Sequence, residues 1–361
     1  MSSFFIHPGI RISYRRREAE MTNQKLLVTG GAGYIGAVLV PELLDEGHQV
    51  TVFDAFFYGT NPSSDPIVHE RCAKIQGDIR DFDAVDAALA EGGFDAVIHL
   101  AAISNDPSSE LDHGVTESVN LHAVEHLMRA SKRHGVKRFL YASSASVYGI
   151  KDDENVTEEL SLDPITIYAK CKAEGERILE SLVDDSFVGV SVRSATVCGF
   201  SPRLRLDLTI NLLTDQALTD RRIRVFGGSQ MRPNVHILDL TAFYRMLLTA
   251  PAEKISARAF NVSRENASVM SLAEMIRDEL DASLPIDTVP TNDPRSYHLS
   301  ADRARRDLGF ETRHDLVTAV RELREAYGSG RVSDSGSDVY RNVAWMKARP
   351  KLWRSAAKLV S

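Results

Sequence analysis

One stretch limits what this chain can fold into more than any other. It is "VTGGAGYIG", residues 28–36, set between the apolar run "KLLVTG" and a segment of helical spacing at 34–46. Glycines at 31, 33 and 36 satisfy G-x-G-x-x-G, and glycines at 30, 33 and 36 the related G-x-x-G-x-x-G. Alone, such a match is weak. Here it ends a strand and opens a helix, which is where the mechanism needs it. Missing side chains let the backbone approach a pyrophosphate, and the helix N-terminus supplies amide hydrogens and the positive end of a dipole.

Two acids extend the pattern. The second strand, "HQVTVFD", ends in Asp54, eighteen residues beyond Gly36. A carboxylate there can accept hydrogen bonds from an adenosine ribose diol and repels a 2′-phosphate. No arginine follows closely in "AFFYGTN", so the pattern favours NAD over NADP. In "GDIRD", Asp78 sits just past a strand, where it can accept from an adenine amino group.

Beyond this unit, "CAKIQGD", "FDAVIHLAA", "VKRFLYASS" and "SFVGVSVRSATV" read as a third to a sixth strand, with helical segments near 81–91 and 114–134. Buried apolar runs alternating with helices predict an α/β fold with a Rossmann-type doubly wound parallel sheet. After about residue 200 the order loosens. Short strands ("RIRVFG", "RAFNVS", "PIDTVP") mix with helices near 207–219, 239–250, 271–280 and 314–326. They predict a smaller C-terminal α/β substrate lobe laid over the ends of the sheet. The expected boundaries are 1–22, a disordered extension or sequence upstream of a second start at Met21; 23–200, the dinucleotide-binding domain; and 201–328, mainly the substrate lobe, interleaved with the first domain. Residues 329–361 read as a linker ("GSGRVSDSGSD") and a basic, partly helical tail.

Composition excludes several classes. With 361 residues, 43% of them hydrophobic, the chain can bury a large core. A net charge of -7 gives no support for a nucleic-acid-binding face. No window approaches the roughly 20 apolar residues that span a bilayer, and residues 1–22 lack the apolar centre of a secretory signal. Cys72, Cys171 and Cys198 are scattered, with no metal-ligand spacing and no disulfide framework. The expectation is a cytoplasmic protein with no metal, no nucleic-acid partner and no membrane insertion.

The chemistry centres on "YAKCK", which places Tyr168 and Lys172 one turn apart on one helix face. A free tyrosine, with a pKa of roughly 10, is a poor base at neutral pH. A nearby ammonium and a positive nicotinamide ring both favour the phenolate. The pair can then act as general base or acid on a sugar hydroxyl or a ketone. Some twenty residues earlier, "YASSASVYG" (141–149) offers adjacent serines in a turn and no carboxylate.

Together these residues resemble the extended short-chain dehydrogenase/reductases, and within them the NAD-dependent nucleotide-sugar epimerase/dehydratase family. The resemblance covers roughly 25–326. It rests on "TGGAGYIG", Asp54, "GDIRD", "HLAA" (99–102), Asn120 in "SVNLHAVEHL", "SSASVYG", Tyr168 with Lys172, "RPNVHILDL" (232–240) and "SYHLSADRARRDLGF" (296–310). The resemblance implies that Gly30, Gly33, Tyr34, Ile35 and Gly36 contact the pyrophosphate, that Asp78 and Ile79 flank adenine, and that Leu100, Ala101 and Ala102 line the nicotinamide side. It adds Asn120 to the cofactor contacts. It implies that Ser144, or alternatively Ser143, hydrogen-bonds the reacting sugar oxygen, that Tyr168 moves the proton and that Lys172 holds the nicotinamide ribose. Arg232 would pair with the diphosphate of a nucleotide-sugar substrate. Ser104, Arg295 and Tyr297 fall in substrate-contact segments. A homodimer, built by pairing the helix near 114–134 and the Tyr168 helix across a two-fold axis, is also implied.

One departure matters for substrate. Many members read Arg-x-x-Asn-x-x-Gly after the sixth strand, whereas "VRSATVCG" puts Thr196 at the asparagine position. The following "FSPRLRLDL" adds Arg203 and Arg205, suited to phosphate or carboxylate. A second departure selects the reaction. The family's 4,6-dehydratases place an Asp-Glu pair directly after the serine or threonine of the turn, and its decarboxylases a glutamate. Here those positions are Ala145 and Ser146. The expected activity is therefore 4-epimerisation through a transient 4-keto sugar. A keto-sugar reductase using external NAD(P)H is the alternative, and a non-enzymatic binding role is disfavoured by the intact Tyr-Lys pair.

Overall fold

The computed structural model describes residues 23–58, 69–151, 153–291 and 298–355; the extension expected over 1–22 lies outside them. Five strands form where the apolar runs predict: β1 (Lys25–Thr29), β2 (Gln49–Asp54), β3 (Cys72–Gln76), β4 (Ala96–His99) and β5 (Arg138–Ser144). Their side chains alternate between two cores. Leu26, Val28, Ala96, Ile98 and Leu140 enter one, while Leu27, Val97, Phe139 and Tyr141 enter the other. Burial on both faces is why these runs lack a polar alternation. Helices Gly36–Asp45 and Ile237–Thr249 cover the first face, and Phe82–Gly92, Ala123–Arg133 and Ile167–Leu182 cover the second.

The remaining strands are β6 (Val188–Ser194), β7 (Thr196–Cys198), β8 (Ile223–Phe226), β9 (Met231–His236), β10 (Arg258–Val262), β11 (Glu265–Ser268) and β12 (Ile286–Val289). Among the described residues, seven strands make one parallel sheet in the order β10-β6-β5-β4-β1-β2-β3. The chain winds outward from β1 to β3, returns to β4, and winds outward the other way. The crevice beyond the carboxyl ends of β1 and β4 is the topological switch point, where ligands of doubly wound sheets bind.

Three expectations change. The run read as one sixth strand breaks at Ala195, and its second half, β7, leaves the main sheet to pair with β9. "RAFNVS", assigned by its place in the chain to the smaller lobe, is the main sheet's edge strand β10, paired with β6. The segment read as linker and tail contains a 3₁₀ turn at Asp338–Tyr340 and helices Asn342–Ala348 and Pro350–Arg354, with Trp345, Met346 and Trp353 buried. The smaller lobe has its own core, including Ile210, Leu213, Leu272, Ile276, Leu316 and Val320. Leu127, Met128, Ile178 and Leu179, from the helices expected to pair across a two-fold axis, are buried within this chain. No helix among the described residues is long and apolar enough to cross a membrane.

Phe243 tests the placement of β10. It is fully buried and meets Phe260 of β10 edge-on at 6.0 Å between centroids and Phe310 at 4.8 Å. Phe243→Ala is expected to cost about 3–5 kcal/mol, read by urea unfolding. A cost near zero would contradict this packing.

Candidate functional site

The switch-point crevice is a cleft with a cavity of about 500 Å³, lined from both lobes. Gly30 has φ +73°, and a Cβ there would lie 2.5 Å from the backbone nitrogen of Ala101. At Gly36 a Cβ would lie 2.5 Å from Cα of Gly31. Both positions therefore require glycine, and the closeness brings the loop onto the end of β4. Gly33, Tyr34, Ile35 and Gly36 follow along the cleft wall. The Tyr34 phenol serves structure. It donates to the Gly199 carbonyl at 2.7 Å and accepts from Asn211 Nδ2 at 3.1 Å, while Ser201 Oγ donates to the Tyr34 carbonyl at 2.8 Å. The glycine loop is thus fastened to the smaller lobe.

Asp54 lies on the wall, accepting from the Ala32 amide at 3.0 Å and the Phe56 amide at 2.8 Å. Burial raises its pKa, and those amides pull the other way. Asp78 and Ile79 line the same half of the cleft, with the Asp78 carboxylate gripped by Arg80 Nε at 3.0 and 3.1 Å. Leu100, Ala101 and Ala102 line the cleft wall beside Gly30. Asn120 sits behind it. In the π-helical turn Ser118–His122, its side chain accepts from the Ile103 amide at 2.8 Å and donates to the Ile103 carbonyl at 2.9 Å. It shapes the wall through Ile103, which lines the cleft.

Strand pleat separates the two serines, because neighbouring side chains point to opposite sides. Ser144 faces the cleft. Its Oγ accepts from the Ser146 amide at 3.2 Å and the Ser146 hydroxyl at 3.0 Å, capping the 3₁₀ turn Ala145–Tyr148. Ser143 turns inward and donates to Glu176. Glu176 also takes Arg193 Nε at 3.0 and 3.1 Å and Nη2 at 2.7 Å. Arg193 Nη1 donates to the Tyr148 hydroxyl at 2.8 Å, which donates to Asn261 Oδ1 at 2.7 Å. This buried chain bolts the turn to three elements.

Tyr168 lines the cleft. Its helix is capped by Thr166, whose Oγ1 accepts from the Ala169 amide at 3.2 Å and donates to Asp106 Oδ1 at 2.6 Å. Lys172 is buried, with Nζ donating to the Ala142 carbonyl at 2.6 Å and lying 5.7 Å from the Tyr168 ring centre. Burial pulls its pKa down to about 8, against the opposite pull of Cys171 and Glu176. His99 is a packing residue. Burial, with the Lys172 charge adding, lowers its pKa to about 3, and its Nδ1 is 2.7 Å from Thr29 Oγ1.

Of the expected substrate contacts, Ser104, Thr196, Arg203 and Arg232 line the cleft, and Arg205 does too. Arg295 and Tyr297 lie outside the described residues. Arg205 is committed to Asp207, at 2.9 and 3.1 Å, and donates to Ser104 Oγ at 3.1 Å. Arg203 lies 3.7 Å over the Tyr58 ring and is one of the charges acting on Asp54, so it stands at the Asp54 end of the cleft. Burial lowers its pKa to about 10, leaving it charged at neutral pH. Sequence reasoning missed Asp106, Asp207, Asn342, Met346 and Trp353, which all line the cleft.

The buried ammonium yields a prediction. Lys172 releases its proton more readily folded than unfolded. Below pH about 8 both states are charged and the full cost of burial applies; as pH rises from there toward the ordinary lysine value, stability from this group increases. Lys172→Met is therefore expected to abolish most activity yet raise the melting temperature of cofactor-free protein. That gain should be largest at pH 8 and below and shrink above it. A constant gain across this range would contradict the buried-ammonium account.

Comparison with known proteins places these features. The sequence model of the NAD dependent epimerase/dehydratase family matches residues 26–263. A Corynebacterium glutamicum protein named UDP-glucose 4-epimerase is 30% identical over 82% of this chain and 94% of its own length. A Streptomyces griseus dTDP-glucose 4,6-dehydratase is also 30% identical, over 82% of this chain and 91% of its own. The crystal structure of DesIV, a dTDP-glucose 4,6-dehydratase from Streptomyces venezuelae with NAD and TYD bound, superposes with a TM-score of 0.74 at 26% identity, covering 84% of this chain and 98% of that one. The Thermus thermophilus UDP-glucose 4-epimerase in complex with NAD superposes with the same score at 23% identity, over 83% and 99%, and supports the fold. The cleft fits the dinucleotide on its own terms. At Gly30 and Gly36 a Cβ would strike backbone, so the loop lies bare along the cleft wall, and Arg203 Nε is a buried donor without a hydrogen-bond partner among the described residues. The chain belongs to the NAD-dependent epimerase/dehydratase family, and NAD is its cofactor.

Proposed function

We propose that this chain epimerises a nucleotide-diphosphate sugar at C4 through a transient 4-keto sugar. The observation that carries this reading is the turn after β5. Ser144 stands on the cleft wall; of the next two positions, Ala145 is buried, and Ser146, also on the wall, donates its hydroxyl proton to Ser144. Neither can transfer a proton at neutral pH. Overall similarity does not separate the reactions, since a named epimerase and a named dehydratase are equally identical to this chain.

Bound NAD supplies a hydride acceptor that later returns the hydride. Tyr168 takes the proton of the C4 hydroxyl as the C4–H bond breaks, and returns it to the ketone oxygen once the keto sugar presents its other face. Ser144 donates to that same oxygen and holds it near the phenol. Lys172, fixed on the Ala142 carbonyl, supplies a positive charge beneath Tyr168 and a hydroxyl-binding ammonium for the nicotinamide ribose. Arg232 supplies a guanidinium for the substrate diphosphate. The same C–H and O–H bonds break and re-form, so no external reductant is consumed. A 4,6-dehydratase needs, in addition, a base for the C5 proton and an acid for the C6 hydroxyl. Asp106 is one carboxylate in the cleft, already accepting from Thr166, and it has no acidic neighbour in the turn.

Purified protein should interconvert C4 epimers from a panel of nucleotide sugars without added NAD(P)H. Tyr168→Phe should lower turnover at least about 10²-fold, the scale of a lost general acid/base, with melting unchanged; near-normal activity would sink the assignment. Ser144→Ala should lower turnover while leaving melting little altered, whereas Ser143→Ala should lower melting because Glu176 loses a buried partner. The reverse pattern would exchange the roles of the two serines.

A further inference from the structure

Residues 338–355 lie beyond the family match, yet they cross the cleft and touch both lobes. At the smaller lobe, the Leu206 amide donates to the Tyr340 carbonyl at 2.8 Å, and Arg341 Nη2 pairs with Asp215 at 2.6 Å. Asn342 is the crossing point. Its amide donates to Asp207 Oδ2 at 3.0 Å, its Nδ2 to Ser104 Oγ at 3.2 Å, and its Oδ1 accepts from Arg203 Nη2 at 2.7 Å. At the dinucleotide-binding domain, Arg80, which grips Asp78, also donates to the carbonyls of Trp353 at 3.0 Å and Ser355 at 2.8 Å. Arg354 pairs with Asp112 at 3.2 Å.

The interior of this strap is apolar. Trp345, Met346 and Trp353 are each at most 4% exposed and pack with Phe57, Tyr58, Ile103, Leu111 and Val115. Met346 and Trp353 share the cleft with Asp54, Asp78 and Ile79, the half where the adenosine end of the dinucleotide belongs. An indole and a thioether suit the face of a purine. Anchored at both lobes by charged and neutral hydrogen bonds, the segment would have to detach for the adenosine end to leave sideways.

We propose that residues 338–355 are a wall of the cofactor site that retains NAD between turnovers, with Trp353 and Met346 against the adenosine half and Asn342 as the latch between lobes. The inference rests on the proposed epimerase, which must regenerate the same cofactor molecule in every cycle. It also assigns the cofactor half of the cleft to residues outside the family match.

The chain carries its own probe, because its two tryptophans, Trp345 and Trp353, both lie on the strap. Cofactor-stripped full-length protein is titrated with NAD⁺ while tryptophan emission is read, and release of labelled NAD⁺ is then timed by chase. Wild type should show an emission change that saturates with occupancy. Trp353→Ala and Asn342→Ala should release NAD⁺ at least about tenfold faster. Trp353→Ala should weaken ADP-ribose binding in proportion and leave nicotinamide mononucleotide binding unchanged, a split that general loosening of the fold would not produce. Unchanged emission at saturating NAD⁺, or release from both variants at the wild-type rate, overturns the strap. Wild-type protein that binds no NAD⁺ at all overturns the proposed function as well, so the two failures are distinct.

Discussion

The site depends on how closely two backbones approach, Gly30 against Ala101. That contact, closed to any side chain, puts the end of β1 directly beside the end of β4 and aims the first turn of the following helix into the crevice. With the glycine backbone against the expected pyrophosphate path, Tyr34 can serve as a rivet to Gly199 and Asn211. The smaller lobe is thereby referenced to the same glycine loop that lines the crevice. A loosened glycine loop would disturb both the dinucleotide seat and the position of Thr196, Arg203 and Arg205.

A second constraint lies behind the turn after β5. The Glu176–Arg193 pair is buried, and taking two charges from water is costly unless their hydrogen bonds are satisfied. Here Ser143, Tyr148 and Asn261 complete the set. The return is positional. Glu176 rides the helix that carries Tyr168 and Lys172, while Ser143 and Tyr148 flank Ser144, so the Tyr168 helix and the Ser144 turn are set by one polar chain. The proposed chemistry at a single carbon asks for this fixed geometry and for no further acid.

Much of the fold was legible because β1 to β5 are buried on both faces and read as unbroken apolar runs. The break at Ala195 was not, since an alanine between a serine and a threonine carries no turn signal; tertiary pairing of β7 with β9 decides it. β10 was misplaced because chain order says nothing about which sheet edge is open. The identity of the cleft-facing serine waited on the pleat. At the C-terminus the composition read as a linker and a basic, partly helical tail, yet Arg341, Arg349 and Arg354 find acids at Asp215, Asp338 and Asp112, two of them more than a hundred residues away in sequence. A signal was present: a segment holding both tryptophans of the chain has large apolar surface to bury.

Movement of one hydride and one proton at one carbon can be followed with isotopes. A nucleotide sugar that the enzyme converts, deuterated at C4, is turned over in ordinary water, and its unlabelled form in deuterium oxide, with products read by NMR. The label is expected to stay at C4 of the epimer, with no solvent deuterium entering the carbon skeleton. Label arriving at C6 with solvent deuterium at C5 would mark a dehydratase and contradict the account.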